Sequence, residues 1–270
     1  MNPIKFLGRG AVLLGALLTM GCAQRVEPQP VAEPEPPRPL VSEVADSIYE
    51  EGCQAEVKPL SEAADSDFVV LADVVPDIIQ EIRYYTTYNF VGRRVPGYEA
   101  PVALLTRRAA DSLALVSQDL IREGYRLKVF DAYRPQRAVL YFIGWARAEA
   151  DTVAKPYFYP EIDKADAFRL GYLAHRSGHS RGSTIDLTLF DMQTEREVDM
   201  GGTYDYFGPV SHYWCREGVT AEQFRRRALL RQAMTNHGFV PVGTEWWHFT
   251  LADEPYPDKY FDFPITKDVL

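Results

Sequence analysis

Two stretches near the C-terminal end, Ser177-Gly-His179-Ser-Arg-Gly-Ser-Thr-Ile-Asp186 and Glu245-Trp-Trp-His248, hold between them the side chains of a hydrolytic zinc centre. A catalytic zinc takes about three protein ligands, drawn from neutral imidazole and carboxylate, and leaves a fourth position for water. His179, Asp186 and His248 would supply the three. Water on such an ion is acidified to a pKa of roughly 7, yet a nearby base must still take its proton and pass it to a leaving amine. Glu245, three residues before His248, is the candidate. Singly, each residue has an ordinary reading, such as a histidine satisfied within a Ser/Gly loop. It is their conjunction that points to chemistry.

The elements that must position them can be read from periodicity. In Thr184-Ile-Asp-Leu-Thr-Leu189 the apolar residues alternate with polar ones, which predicts a half-buried strand with Asp186 facing a cleft or solvent. Gly182 permits a turn between His179 and Asp186. Residues three apart on a regular strand point to opposite faces, so Glu245 and His248 can cooperate only if Glu245 sits at a bulge or strand entry, just after Gly243. Tyr125 to Asp131 reads as a strand, and Pro135 followed by Ala138, Val139, Phe142 and Ile143 reads as a helix with proline in its first turn. Arg134 then lies at a fixed strand-to-helix junction, because the residue before proline is held extended. There it could meet charge developing on a carbonyl oxygen, or simply pair with Asp131.

Several further segments carry a family resemblance: Glu81-Ile-Arg-Tyr84 with Thr86, Asn89 and Phe90; Asp131-Ala-Tyr-Arg134-Pro-Gln-Arg-Ala138; Asp253-Glu-Pro-Tyr-Pro257; and Tyr260-Phe-Asp-Phe-Pro264. With the two stretches above, in this order over residues 68 to 265, the chain resembles the VanX-type zinc D-alanyl-D-alanine dipeptidases of peptidase family M15. The resemblance implies zinc on His179, Asp186 and His248, Glu245 as catalytic base and Arg134 as stabiliser of the tetrahedral oxyanion. It also implies that Tyr84, Ser177 and Asp205 hold the substrate's charged ends, and that the fold is of the Hedgehog/DD-peptidase kind, with zinc in a cleft on the sheet.

Composition agrees with one enzyme domain. The 270 residues are 46% hydrophobic and 25% charged, ordinary for a chain that buries a full core, and the net charge of −9 argues against nucleic acid as a partner. Arg225-Arg-Arg227 with Arg231 reads as the solvated face of a helix opened by a Thr220–Gln223 capping box and ended by Gly238. Lys5 and Arg9 precede an apolar run from Ala11 to Met20 that is too short to span a bilayer, so residues 1–22 read as an export signal. Gly21-Cys22 resembles a lipoprotein cleavage site, which would anchor the chain by lipid on Cys22. Ala23 next to it would direct the protein to the periplasmic side of the outer membrane. A soluble periplasmic product is the alternative. Residues 23–60, Pro- and Glu-rich to about residue 42, form a tether, and 61–270 the zinc dipeptidase domain. An exported compartment would permit a disulfide between Cys53 and Cys215, which their spacing alone neither requires nor forbids.

Helices are expected over residues 106–123, after Pro135 and over about 221–237, with strands at about 67–73, 125–131, 183–190 and 246–251. This mixture predicts a single α+β domain with a mainly antiparallel central sheet flanked by helices. Three functions follow: a zinc dipeptidase cutting free D-Ala-D-Ala, a peptidoglycan D,D- or L,D-carboxypeptidase, or a non-catalytic cell-wall binding lipoprotein. A binding module needs neither a base nor an oxyanion donor, so Glu245 and Arg134 weigh against the third. Oligomeric state is not written in the sequence. An exported dipeptidase fits recovery of D-alanine from wall fragments better than depletion of a cytoplasmic precursor.

Overall fold

The computed structural model of the chain describes residues 67–266, so the export signal, Cys22, the tether and Cys53 lie outside it. In chain order the elements are β1 (Phe68–Val70), α1 (Leu71–Val74), β2 (Ile79–Gln80), β3 (Leu104–Thr106), α2 (Arg107–Arg122), β4 (Tyr125–Asp131), α3 (Gln136–Arg147), α4 (Lys155–Phe158), β5 (Thr184–Asp191), β6 (Arg196–Glu197), α5 (Ala221–Asn236), β7 (Phe239–Pro241) and β8 (His248–Leu251). The main sheet runs β2-β4-β5-β8-β7, with β6 also on β5; β1 and β3 make a separate two-stranded sheet. Every pairing is antiparallel except β2 with β4. The α+β class and the mainly antiparallel sheet are therefore as the sequence implies.

Local chemistry sets the helix limits. The Thr106 hydroxyl accepts from the Ala109 N–H at the start of α2, which turns Ala109, Leu113, Val116 and Leu120 inward and stops before Gly124 at φ +87°. In α5 both halves of the Thr220–Gln223 capping box form, at 3.2 and 2.7 Å.

Four expectations are corrected. The strand foreseen over 67–73 ends at Val70, because the Val75 N–H returns to the Leu71 carbonyl and closes a helical turn. The last strand starts at His248, since Trp246 and Trp247 form the turn leading into it. β5 is covered on both faces rather than half-buried, its polar positions Thr184, Asp186 and Thr188 being as buried as Ile185, Leu187 and Leu189. Arg227 is buried, unlike exposed Arg225, so the basic cluster on α5 is not a uniformly solvated face. Cys215 makes no disulfide among the described residues; its thiol lies 3.3 Å from the Glu217 carbonyl.

Candidate active site

Three adjacent strands place the chemistry in one row. Asp131 of β4 pairs with Asp186 of β5, and Asp186 pairs with His248 of β8. The register of β4 slips by one residue between Val129 and Asp131. An unbroken ladder continuing from Val129↔Leu187 would set Asp131 opposite Ile185, on the apolar face. The slip moves it to the face of Asp186.

His179 arrives from a different direction. It lies in the 3-10 turn Gly178–Arg181, where the Ser177 hydroxyl accepts its N–H at 3.3 Å. Gly182 ends the turn at φ +81°, and a Cβ there would stand 2.4 Å from the Phe68 ring. Glycine is needed on both counts. The Arg134 N–H donates to the His179 carbonyl at 3.3 Å, tying the strand-to-helix junction to this turn.

These elements bring three donor atoms together. His179 Nε2 lies 3.3 Å from both His248 Nδ1 and Asp186 Oδ2, and His248 Nδ1 is 3.0 Å from Asp186 Oδ1. Ligands on a tetrahedral ion at about 2.0–2.2 Å stand roughly 3.4 Å from one another, so the spacing suits one small cation. The tautomer suits it too. His179 Nδ1 lies 2.7 Å from the Ala132 carbonyl, to which it donates, leaving the Nε2 lone pair free to ligate. Burial alone would raise the Asp186 carboxyl, but the two histidines beside it hold it far below the usual carboxylate range. Tyr204 steadies the same carboxylate, its hydroxyl donating to Oδ2 at 3.1 Å. The residues present thus fit a metal ion, and His179, Asp186 and His248 are the group among the described residues that could hold one.

Glu245 is brought back to this centre by the turn before β8, where the His248 N–H reaches the Glu245 carbonyl at 3.3 Å. Its Oε2 is 3.5 Å from His248 Nδ1. Burial in the cleft pushes its carboxyl up to about 7, against the opposing pull of His248 and Arg134. A carboxyl at that level can both accept and return a proton near neutrality.

Arg134 is held from several sides. Its Nε donates to Asp131 Oδ2 at 2.9 Å, and its guanidinium carbon lies 5.0 Å from the Tyr84 ring centre and 5.3 Å from that of Phe142. Asp131 is fixed in turn by the Tyr98 hydroxyl at 2.7 Å. Arg134 thus pairs with Asp131, one of the two readings its sequence position allowed, and the rest of its guanidinium faces the cleft, with Nη2 3.7 Å from Asp186 Oδ2.

The cleft encloses about 190 Å³. Tyr84, Arg134, Ser177, His179, Asp186, Asp205, Glu245 and His248, all eight residues singled out from the sequence for this site, line it. Tyr84 and Asp205 meet directly, the buried hydroxyl donating to Oδ2 at 2.8 Å. Asp205 takes a left-handed backbone (φ +61°), uncommon for a residue other than glycine. Burial and the nearby Asp186 push its carboxyl well up, with Tyr84 pulling the other way.

Sequence reasoning did not assign Tyr98 or Tyr204 to the site, and saw Asp131 only as an alternative partner for Arg134. The Asp131-Ala-Tyr-Arg134 segment was a usable signal for Asp131. For the two tyrosines no local pattern exists.

With this geometry in hand, comparison with known proteins gives a consistent picture. The model of the D-ala-D-ala dipeptidase family, peptidase family M15, matches residues 64–266. A D-alanyl-D-alanine dipeptidase of Streptomyces coelicolor is 42% identical over 199 residues, covering 74% of this chain and 98% of that protein. One from Enterococcus faecium is 39% identical over 198 residues, 73% and 98% of the two chains. Another, from Enterococcus faecalis, is 37% identical over 202 residues, 75% and 100%.

Proposed function

The chain belongs to peptidase family M15, the D-ala-D-ala dipeptidases, and from that premise we propose that it hydrolyses free D-Ala-D-Ala to two D-alanines, with one zinc ion on His179, Asp186 and His248. The observation that carries the reading is the convergence of all eight candidate residues on one small cleft. Its volume of about 190 Å³ is below the roughly 300–1,000 Å³ common for drug-sized ligands, which suits a dipeptide. Bound there, zinc would act as a Lewis acid on the scissile carbonyl and make water acidic enough to attack.

The residues around it divide the remaining work. Glu245 takes the proton of the attacking water and hands it to the departing amine. The Arg134 fork, preset by Asp131, donates to the oxygen on which negative charge builds during attack. Asp205, a buried carboxylate with Tyr84 as its hydrogen-bond partner, gains a counter-ion in the substrate ammonium. Ser177, at the head of the His179 turn, receives the carboxylate. We place the fold in the Hedgehog/DD-peptidase group on the strength of a zinc cleft built on an antiparallel sheet. Residues 1–22, with Cys22 as lipid acceptor, support export to the periplasmic face of the outer membrane, where D-alanine recovery from wall fragments is the fitting role.

A direct comparison of kcat/KM for D-Ala-D-Ala, its N-acetyl derivative and a stem pentapeptide tests the substrate. Extension at the amino end, as in both of the longer substrates, leaves buried Asp205 without its ammonium partner, and such mismatches cost factors of about 10⁴ or more. The free dipeptide should be cut fastest by a wide margin. Faster cleavage of the pentapeptide would establish a carboxypeptidase instead.

A further inference from the structure

One wall of the cleft, apart from Ser177, has no part in the chemistry described above. Six of the seven residues from Gly171 to Ser177 line the cleft, and Tyr172 is the aromatic among them. Two features fix where its ring stands. The backbone is pinned at the Ala167 carbonyl, which accepts from the Tyr172 N–H at 2.9 Å and from the Leu173 N–H at 3.2 Å. The ring itself lies parallel to that of Phe207, with 3° between planes and 5.2 Å between centres.

Phe207 has little room to give way. It is 4% exposed, its N–H donates to the Phe158 carbonyl at 2.7 Å, and the buried rings of Phe90 and Tyr159 stand against it at 5.1 and 6.0 Å. A close-packed interior yields poorly to a push, so Tyr172 rests on a fixed surface. Phe207 is also two residues from Asp205, and the ring of Tyr172 therefore packs on the loop that holds the carboxylate assigned to the substrate ammonium. Both side chains feel Glu245. Burial raises the Tyr172 hydroxyl, with Tyr206 and Glu245 adding to it, and Glu245 acts in the same direction on Asp205 after burial and Asp186.

We propose that Tyr172, backed by Phe207, is the stop at the amino end of the cleft that limits the substrate to two residues. This rests on the dipeptidase reading and adds to it a cause of selectivity that Asp205 does not supply. A buried carboxylate rejects an extension that removes the positive charge, as acetylation does. It has no such objection to one that keeps the charge and only adds length. An aromatic wall rejects both, because the added carbons must displace a ring whose backing does not move.

The choice of substrate separates the two causes. The measurement is kcat/KM for D-Ala-D-Ala, for its N-propyl derivative, whose secondary amine stays protonated at neutral pH, and for its N-acetyl derivative, in the parent, Tyr172→Phe and Tyr172→Ala. The quantity read is the ratio of each derivative to the dipeptide within one protein, so a smaller folded fraction cancels. We expect the parent and Tyr172→Phe to favour the dipeptide over the N-propyl form by about 10² or more, and Tyr172→Ala to narrow that gap by about tenfold or more while still rejecting the N-acetyl form through Asp205. Equal N-propyl ratios in the parent and Tyr172→Ala, or a parent that cuts the N-propyl form as fast as the dipeptide, overturn the stop and leave the dipeptidase reading standing. A gap that narrows as far in Tyr172→Phe overturns it as well, since the hydroxyl and not the ring would then exclude length. A parent that prefers the stem pentapeptide overturns the dipeptidase reading itself, and the stop with it.

Discussion

Replacing Arg134 by alanine separates what this residue does for the fold from what it does for the reaction. Loss of one oxyanion donor costs about 2.7–4 kcal/mol of transition-state stabilisation, or roughly 10² to 10³ in kcat. A second effect arises because the partner left behind, Asp131, is 1% exposed. Breaking a buried pair from one side costs about 3–5 kcal/mol, and since Asp131 keeps the Tyr98 hydroxyl at 2.7 Å the lower end applies. Against a total stability of about 5–15 kcal/mol, the variant should fold with a reduced Tm and show turnover lowered by two to three orders of magnitude per folded molecule. The decisive assay adds Asp131→Ala to Arg134→Ala and measures both denaturant unfolding and kcat for D-Ala-D-Ala. The double variant should regain part of the stability, as no unpaired carboxylate remains buried, and none of the activity. Turnover of folded Arg134→Ala within tenfold of the parent would refute the oxyanion role. Recovery of activity together with stability in the double variant would show that Arg134 matters only as a partner of Asp131.

His179→Ala and His248→Ala should each lose the bound zinc measured by metal analysis, and a full equivalent retained at the same site in both would remove the ligand assignment. Glu245→Gln should keep the metal while turnover falls by about 10² to 10⁴; near-parent turnover would exclude Glu245 as the base. For Gly182→Ala, strain at φ +81° and a Cβ 2.4 Å from the Phe68 ring should cost about 1–3 kcal/mol or more, read as a lowered Tm, and an unchanged Tm would contradict the packing at that turn.

The legible parts of the site are those where chemistry restricts residue type. His179, Asp186, Glu245 and His248 are recognisable because few side chains ligate zinc or move protons, and the α2 and α5 boundaries because Thr106, Thr220 and the glycines after each helix act locally. What could not be read depends on partners distant in sequence. The face of Asp131 is decided by a one-residue slip against β5, invisible in β4 alone. Tyr204 reaches Asp186 from a loop 18 residues on. The burial of Arg227 follows from the carbonyls of Met200 and His212 closing over one side of α5, while Arg225, two residues away, stays in water. Periodicity in a helix reports a face, and only the tertiary fold reports what covers it.

The division between strands and loops carries a consequence for how such a site can change. Asp131, Asp186 and His248 occupy one cross-strand row, so their separations are set by ladder geometry and a central strand covered on both faces. Shifting any of them by a residue would turn its side chain to the opposite face. Ser177 and Asp205 sit instead outside the strands, Ser177 at the head of a short turn and Asp205 on a left-handed backbone within a loop. Two of the three candidate metal ligands are thereby fixed on the rigid part of the fold, and the grip proposed for the two ends of the substrate lies where backbone can be lengthened without disturbing the ladder. A relative with the same row and a longer Asp205 loop would retain the hydrolytic centre and accept a different peptide length.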